Sequence, residues 1–248
     1  MIYTLDEIPE SKIELINSGF NSVNSSFNAN KSGIPSPALS MFAGEAGSGK
    51  SSLLGCIGKN IAKEHKVIYF SLEASLGNVK NWRWARELGN SFLFSEANNH
   101  EEQIRIIEEN NPKFVIIDSV NLLVNKSGAC IKHGEVKEVA SLYTRAAVNN
   151  SCHIALIGQL GEDGNVLGSS QWTFLPDVIC HINKFKIEGK LKKDLVKKFS
   201  QQSIDELVIK TKRWFSLSIP SKNRFGEAGS NCMFEHTDYG IKEINFNF

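Results

Sequence analysis

The chain has 248 residues, 41% hydrophobic and 22% charged, which fits a globular protein, and its sequence holds no internal repeat and no low-complexity tract. No apolar run reaches the roughly 18 residues of a membrane helix, and the opening "MIYTLDEIPESKIELI" lacks the basic start of a secretory signal, so a cytoplasmic protein with no membrane partner is expected. The net charge is only +1, so any nucleic-acid contact must rest on local basic patches rather than a global field.

Residues 1–37 read as a lead-in segment that closes on the turn-rich "NANKSGIPSP". The core, residues 38–248, begins with "ALSMFAG", a buried strand running into a glycine-rich loop. An amphipathic helix, "SSLLGCIGKNIAKEH", follows, then a strand, "KVIYFSLE", and a helix, "ASLGNVKNWRWARELG". The alternation continues through the strand "SFLFSE", the helix "EEQIRIIEENN", the strand "KFVIIDS", the helix "GEVKEVASLYTRAAVNN" and the strand "CHIALIGQL". Strands rich in Val, Ile and Phe that alternate with helices predict βαβ units, hence an α/β fold with a mostly parallel central sheet flanked by helices. From Asp177 the helices cease. "DVICHINKF" and "DELVIKTKRWFSLSI" read as strands, so antiparallel strands are expected on the C-terminal side. Between them lies a lysine-rich insertion at about 184–202. The five cysteines (Cys56, Cys130, Cys152, Cys180, Cys232) are scattered without a CxxC, which argues against a disulfide framework or a zinc finger.

Gly44, Gly49, Lys50 and Ser51 fit G-x-x-x-x-G-K-[ST]. The cradle spans Gly44, Glu45, Ala46, Gly47, Ser48, Gly49, Lys50, Ser51 and Ser52. Its glycines let backbone N–H groups curl around an anion, and the following helix presents its positive end. Lys50 is expected on the β- and γ-phosphates of ATP and Ser51 on Mg²⁺. "KFVIIDS" ends in Asp118, placed to hold the same Mg²⁺ beside Ser51. A strand-terminal aspartate also caps turns. Glu73 closes another strand, either as the general base for the attacking water or as an acid near the next helix's N-terminus. Gln159 closes a fourth, as a γ-phosphate sensor or as a solvent-facing glutamine.

Four stretches resemble the ATPase core of the bacterial RadA (Sms) family of RecA-like motors. They are "SGFNSVNSSFNANKSGIPSPALSMFAGEAGSGKSSLL", "VIYFSLEAS" with "RWARELG", "KFVIIDSVNLL" and "SKNRFGEAGSNCMFEHTDYGIKEI". The resemblance covers about residues 15–248, and "KNRFG", Lys222 to Gly226, is its most specific element. It implies a RecA-like P-loop fold and a DNA-stimulated ATPase that binds single-stranded DNA in recombination or repair. It also implies a homo-oligomer, a hexameric ring or a filament, with ATP between subunits and Lys222 and Arg224 reaching it from the neighbour, and a recombinase or replication protein as a further partner. The family's four-cysteine finger and Lon-like domain are not in this sequence, so a minimal core of the kind expected in a phage or mobile element is read. Asn24 and Gln159 stand where the family commonly has aspartate and histidine.

In RecA-like motors two loops face the DNA. The matching segments are about 120–135, with Asn121, Lys126, Lys132 and His133, and about 160–173, with Gln171 and Trp172 but also Glu162 and Asp163. Trp172 is either a base-stacking platform or a core residue. The run Lys184, Lys186, Lys190, Lys192, Lys193, Lys197, Lys198 is either a phosphate patch or a solvated face. Trp82 and Trp84, two apart on the expected helix, should point to different faces, one packing inward and one meeting a neighbouring subunit. A hexameric helicase motor and a KaiC-like regulatory ATPase are the alternative functions.

Overall fold

The computed structural model describes residues 13–28, 31–161, 166–167, 169–185, 200, 205, 208–209 and 211–244. Its centre is a nine-stranded sheet. In chain order these strands are β3 (Ala38–Gly44), β4 (Val67–Ser71), β5 (Phe92–Ser95), β6 (Phe114–Asp118), β7 (His153–Gln159), β8 (Val178–Lys184), β9 (Trp214–Ser218), β10 (Asn231–Thr237) and β11 (Gly240–Ile244). Across the sheet they run β11-β10-β9-β8-β3-β7-β6-β4-β5. From β8 through β5 all neighbours are parallel, and β9, β10 and β11 continue the sheet antiparallel. The fold is thus α/β with a mostly parallel sheet and an antiparallel C-terminal side, as the alternation of apolar strands and helices predicts.

The central strands are apolar throughout because both faces are covered. On β3, β4, β6 and β7 successive residues serve opposite cores. Leu39, Met41, Ile68, Phe70, Val115, Ile117, Ile154 and Leu156 pack under α4 (His100–Asn110) and α5 (Val136–Asn149). Phe42, Tyr69, Phe114, Ile116 and Ile157 pack under α2 (Lys50–Ile61) through Leu53, Leu54, Ile57 and Ile61. Asn99 caps α4, accepting from the N–H groups of Glu101 and Glu102. The lead-in folds onto the second core. β1 (Glu14–Ile16) and β2 (Ile34–Ser36) pair antiparallel, and α1 (Asn21–Phe27) buries Val23 and Phe27 there.

Two expected elements differ. Residues 74–89 form no single helix; a four-residue α3 (Leu76–Val79) is followed by a 3₁₀ turn, Arg83–Ala85. Tertiary packing overrides local propensity here. A continuous helix would turn Trp82 and Trp84 about 200° apart, whereas the broken chain sets both indoles against Tyr69 and 5.5 Å from each other. Both therefore pack, and Trp84 is 3% exposed. A Cβ at Gly55 of α2 would lie 2.3 Å from the Trp84 ring, so this packing requires glycine. The strand expected over 205–219 is confined to β9; residues 205, 208, 209 and 211 are helical.

His153 joins the lead-in to the sheet. Its Nδ1 lies 2.7 Å from the Pro35 carbonyl and its Nε2 2.7 Å from Ser40 Oγ, so Nδ1 carries the proton and Nε2 accepts from the serine. Complete burial lowers its pKa to about 4. The neutral ring therefore contributes stability that is present above the ordinary value near 6.5 and is lost as pH falls from there towards 4. The expected loss is about 3 kcal/mol across that window. Denaturant melts at pH 7.5 and pH 4.5 should show a markedly shallower pH dependence for His153→Gln than for the parent, and parallel curves would refute the assignment.

Candidate nucleotide site

The strand register gathers the sequence-predicted groups at the carboxyl edge of the parallel strands, where open α/β sheets bind ligands. Gly44 lies beside Gln159. Ser71 lies beside Asp118, and Glu73, two residues beyond β4, donates its backbone N–H to the Asp118 carbonyl. Ala46–Ser52, Glu73 and Gln159 line one cavity of about 230 Å³ together with His236.

The cradle's conformation follows from its glycines. Gly47 and Gly49 hold φ of +67° and +103°, which only glycine adopts readily. A Cβ at Gly44 would lie 2.3 Å from the Ile182 carbonyl oxygen and 2.6 Å from Ser48 Oγ. Lys50 folds back over the loop and donates to the carbonyls of Gly44 and Glu45, both at 2.8 Å. Burial lowers its pKa, against the opposing pull of Glu73 and Asp118.

Asp118 is 3% exposed and accepts a very short hydrogen bond from the Tyr69 hydroxyl. Burial raises its pKa, while the Ser51 and Tyr69 hydroxyls pull it back. Ser48 Oγ and Asp118 Oδ1 are buried without a hydrogen-bond partner among the described residues. An orphaned carboxylate oxygen facing a serine hydroxyl fits a hard divalent cation, and an orphaned hydroxyl inside an N–H-lined loop fits an anion. Glu73 Oε1 accepts from Ser119 Oγ at 2.6 Å, which fixes its carboxylate at the cavity wall. Ser52 lines the same cavity, and Glu45 contributes its backbone carbonyl.

The two loops beyond β6 and β7 are tied together. Asn121 Oδ1 accepts from the Gln159 N–H at 2.9 Å, and its Nδ2 donates to the Leu167 carbonyl at 2.5 Å. His133 Nδ1 meets Ser169 Oγ at 2.9 Å, and its Nε2 meets Gln171 Nε2 at 3.1 Å. Lys132 is exposed, and the backbone N–H of that residue donates to Glu135. Lys126 pairs with Glu101 at 2.9 Å on the surface. Trp172 is corrected: it is 2% exposed and packs into the α5 core, turned under by the 3₁₀ turn that Ser169 caps, so its face is closed to a base. Lys192 and Lys193, with Glu162, Asp163, Lys186, Lys190, Lys197 and Lys198, lie outside the described residues.

Lys222 and Arg224 lie elsewhere. Lys222 Nζ donates to the Phe174 carbonyl at 2.6 Å, and burial lowers its pKa, with Arg224 adding to the effect. Arg224 pairs with Asp177 at 2.7 Å, and Asp177 in turn accepts from the Leu39 N–H. Gly44 is five strand residues further along β3, roughly 16 Å at ~3.3 Å per residue. The second residue of the pentapeptide is structural: Asn223 donates to the carbonyls of Ser26 and Phe27.

Sequence reasoning missed Tyr69, Ser119 and His236, and assigned Lys184 to the lysine run. A Cβ at Gly47 would lie 3.4 Å from Lys184 Nζ, and one at Gly49 would lie 3.1 Å from His236 Nε2. The Tyr69 hydroxyl inside a buried strand was the one local signal available. Burial, with Arg83 and Arg213 nearby, lowers the His236 pKa.

No protein-family model matches the chain. Among curated proteins it is similar to DNA repair protein RadA of Aquifex aeolicus, 27% identical over 234 residues, which is 91% of this chain and 45% of that protein. It is similar to DNA repair protein RadA of Escherichia coli, 28% identical over 219 residues, 86% of this chain and 41% of that protein. The Streptococcus pneumoniae protein of the same name is 24% identical over 218 residues, 86% of this chain and 45% of that protein. The chain therefore spans less than half the length of these curated relatives. No helix among the described residues is long and apolar enough to cross a membrane.

Proposed function

From this RadA-like relationship we propose that the chain is an ATP hydrolase acting in DNA repair or recombination, stimulated by single-stranded DNA. The observation that carries the ATPase reading is the convergence of the glycine cradle, Lys50, Ser51, Glu73, Asp118 and Gln159 at one edge of the parallel sheet. Lys50 and the loop N–H groups bind the β- and γ-phosphates. Ser51 and Asp118 hold Mg²⁺, which when bound neutralises charge on the phosphates. Glu73, oriented by Ser119, accepts the proton of the attacking water as the bond between the γ-phosphorus and the ADP oxygen breaks.

Gln159 reads the γ-phosphate. Its backbone link to Asn121, and Asn121's link to Leu167, support coupling from that strand end to the two loops we assign to DNA, with Lys126 and Lys132 on the first. The separation of Lys222 and Arg224 from their own cradle supports a ring or filament in which they serve a neighbour's nucleotide.

Steady-state ATP hydrolysis at low salt, with and without single-stranded DNA, tests the proposal. Several-fold stimulation that fades with added salt is expected. Hydrolysis indifferent to DNA would overturn the DNA-motor reading in favour of a regulatory ATPase acting on protein partners.

A further inference from the structure

The C-terminal strands bring two basic side chains to the phosphate cradle that the P-loop motif does not include. Lys184 closes β8, the strand hydrogen-bonded to β3, and its ammonium stands over Gly47. His236 lies near the end of β10, and its Nε2 points at Gly49, the residue before α2 begins. Neither placement is loose. The β8 backbone is so close that a Cβ at Gly44 would lie 2.3 Å from the Ile182 carbonyl oxygen. The imidazole lies 4.7 Å from the Phe215 ring, and its backbone N–H donates to the Arg213 carbonyl at 2.9 Å. The turn beyond is pinned by Arg83, which donates to the Thr237 carbonyl at 2.9 Å and pairs with Asp238 at 3.3 Å. Neither ring nitrogen of His236 has a hydrogen-bond partner among the described residues.

His236 also borders two spaces at once. It lines the cradle cavity, and it lines an adjoining cavity of about 410 Å³ walled by Trp82, Arg83 and Thr237. An imidazole N–H aimed at the first turn of α2 adds a donor where backbone N–H groups already converge on an anion. A lysine over Gly47 adds a point charge on the loop's open side.

We propose that Lys184 and His236 are phosphate-binding residues of the nucleotide site, supplied in cis by β8 and β10. This rests on the P-loop reading and deepens it. β8 and β10 thereby become part of the site. The phosphates meet four basic or donor groups: the loop N–H array, Lys50, Lys184 and His236.

The test is equilibrium binding of ATP and of inorganic tripolyphosphate to the parent chain, Lys184→Gln, His236→Ala, His236→Gln and Lys50→Ala, with a thermal melt of each nucleotide-free protein. Loss of about tenfold in affinity for both ligands is expected for Lys184→Gln and for His236→Ala. The melting temperature should be unchanged and His236→Gln, which keeps a donor, should recover part of the loss. Unchanged affinity in both variants overturns the proposal. So does a loss confined to ATP, which would set His236 against the nucleoside, and so does a loss that tracks a lowered melting temperature. A parent chain that binds neither ligand, or a Lys50→Ala variant that binds both like the parent, would instead bring down the P-loop reading itself.

Discussion

Lys50→Ala is expected to lower ATP turnover by at least about a hundredfold, the usual cost of removing one donor aimed at charge that develops in the transition state. Fold stability should barely change. Among the described residues the Lys50 ammonium bonds the carbonyls of Gly44 and Glu45 on the loop, and both can turn to water when it is gone. A melting temperature within about 2 °C of the parent would show that the fold survives. The result isolates chemistry from folding because the helix that Lys50 begins is anchored elsewhere, through Leu53, Leu54, Ile57 and Ile61. Undiminished turnover in the folded variant would end the assignment of this loop as the ATP site.

Arg224→Ala is expected to cut hydrolysis at least as deeply, about a thousandfold on the scale of arginine fingers, while nucleotide binding stays close to that of the parent. The reason is geometric. Arg224 is held by Asp177 at the level of Leu39, at the far end of β3 from its own cradle, so in the proposed assembly its guanidinium serves a neighbour's site. Mixing decides the point. Equal amounts of Arg224→Ala and Lys50→Ala chains, each inactive alone, should recover about a quarter of the parent activity if every site takes its cradle from one chain and its arginine from the next around a head-to-tail interface. No recovery, with a lowered melting temperature for Arg224→Ala, would leave the Asp177 pair as a purely structural contact. The same experiment with Lys222→Ala separates the two cations, since Lys222 donates to the Phe174 carbonyl rather than to a carboxylate.

Much of the site was legible because its determinants are local. The cradle's conformation is dictated by glycines spaced along nine consecutive residues, and positive φ at Gly47 and Gly49 is the physical meaning of that spacing. Asp118, Glu73 and Gln159 end or follow apolar runs, and parallel strands of similar length necessarily deliver their carboxyl ends to one edge. Trp172 was not legible. Tryptophan in a loop beside the site serves stacking and packing equally well on paper, and only the cap by Ser169 and the fit under α5 choose between them. The helix expected at 74–89 failed for a related reason. Its composition is helical enough, but two indoles on one aromatic cluster satisfy more apolar surface than four turns of surface helix.

By itself, then, the amino-acid sequence determined the alternation of strands and helices, the anion-binding loop and the identity of the acids beside it, because each depends on residues within a few positions of one another. The tertiary structure alone decided that Lys184 and His236 stand over Gly47 and Gly49, that Tyr69 and Ser119 orient Asp118 and Glu73, and that Arg224 is held by Asp177 at the other end of β3 from its own cradle. Those contacts are set by the order in which strands assemble across the sheet. β8 inserts beside β3, and β9 and β10 follow it outward, so side chains remote in sequence meet the loop only when the sheet closes.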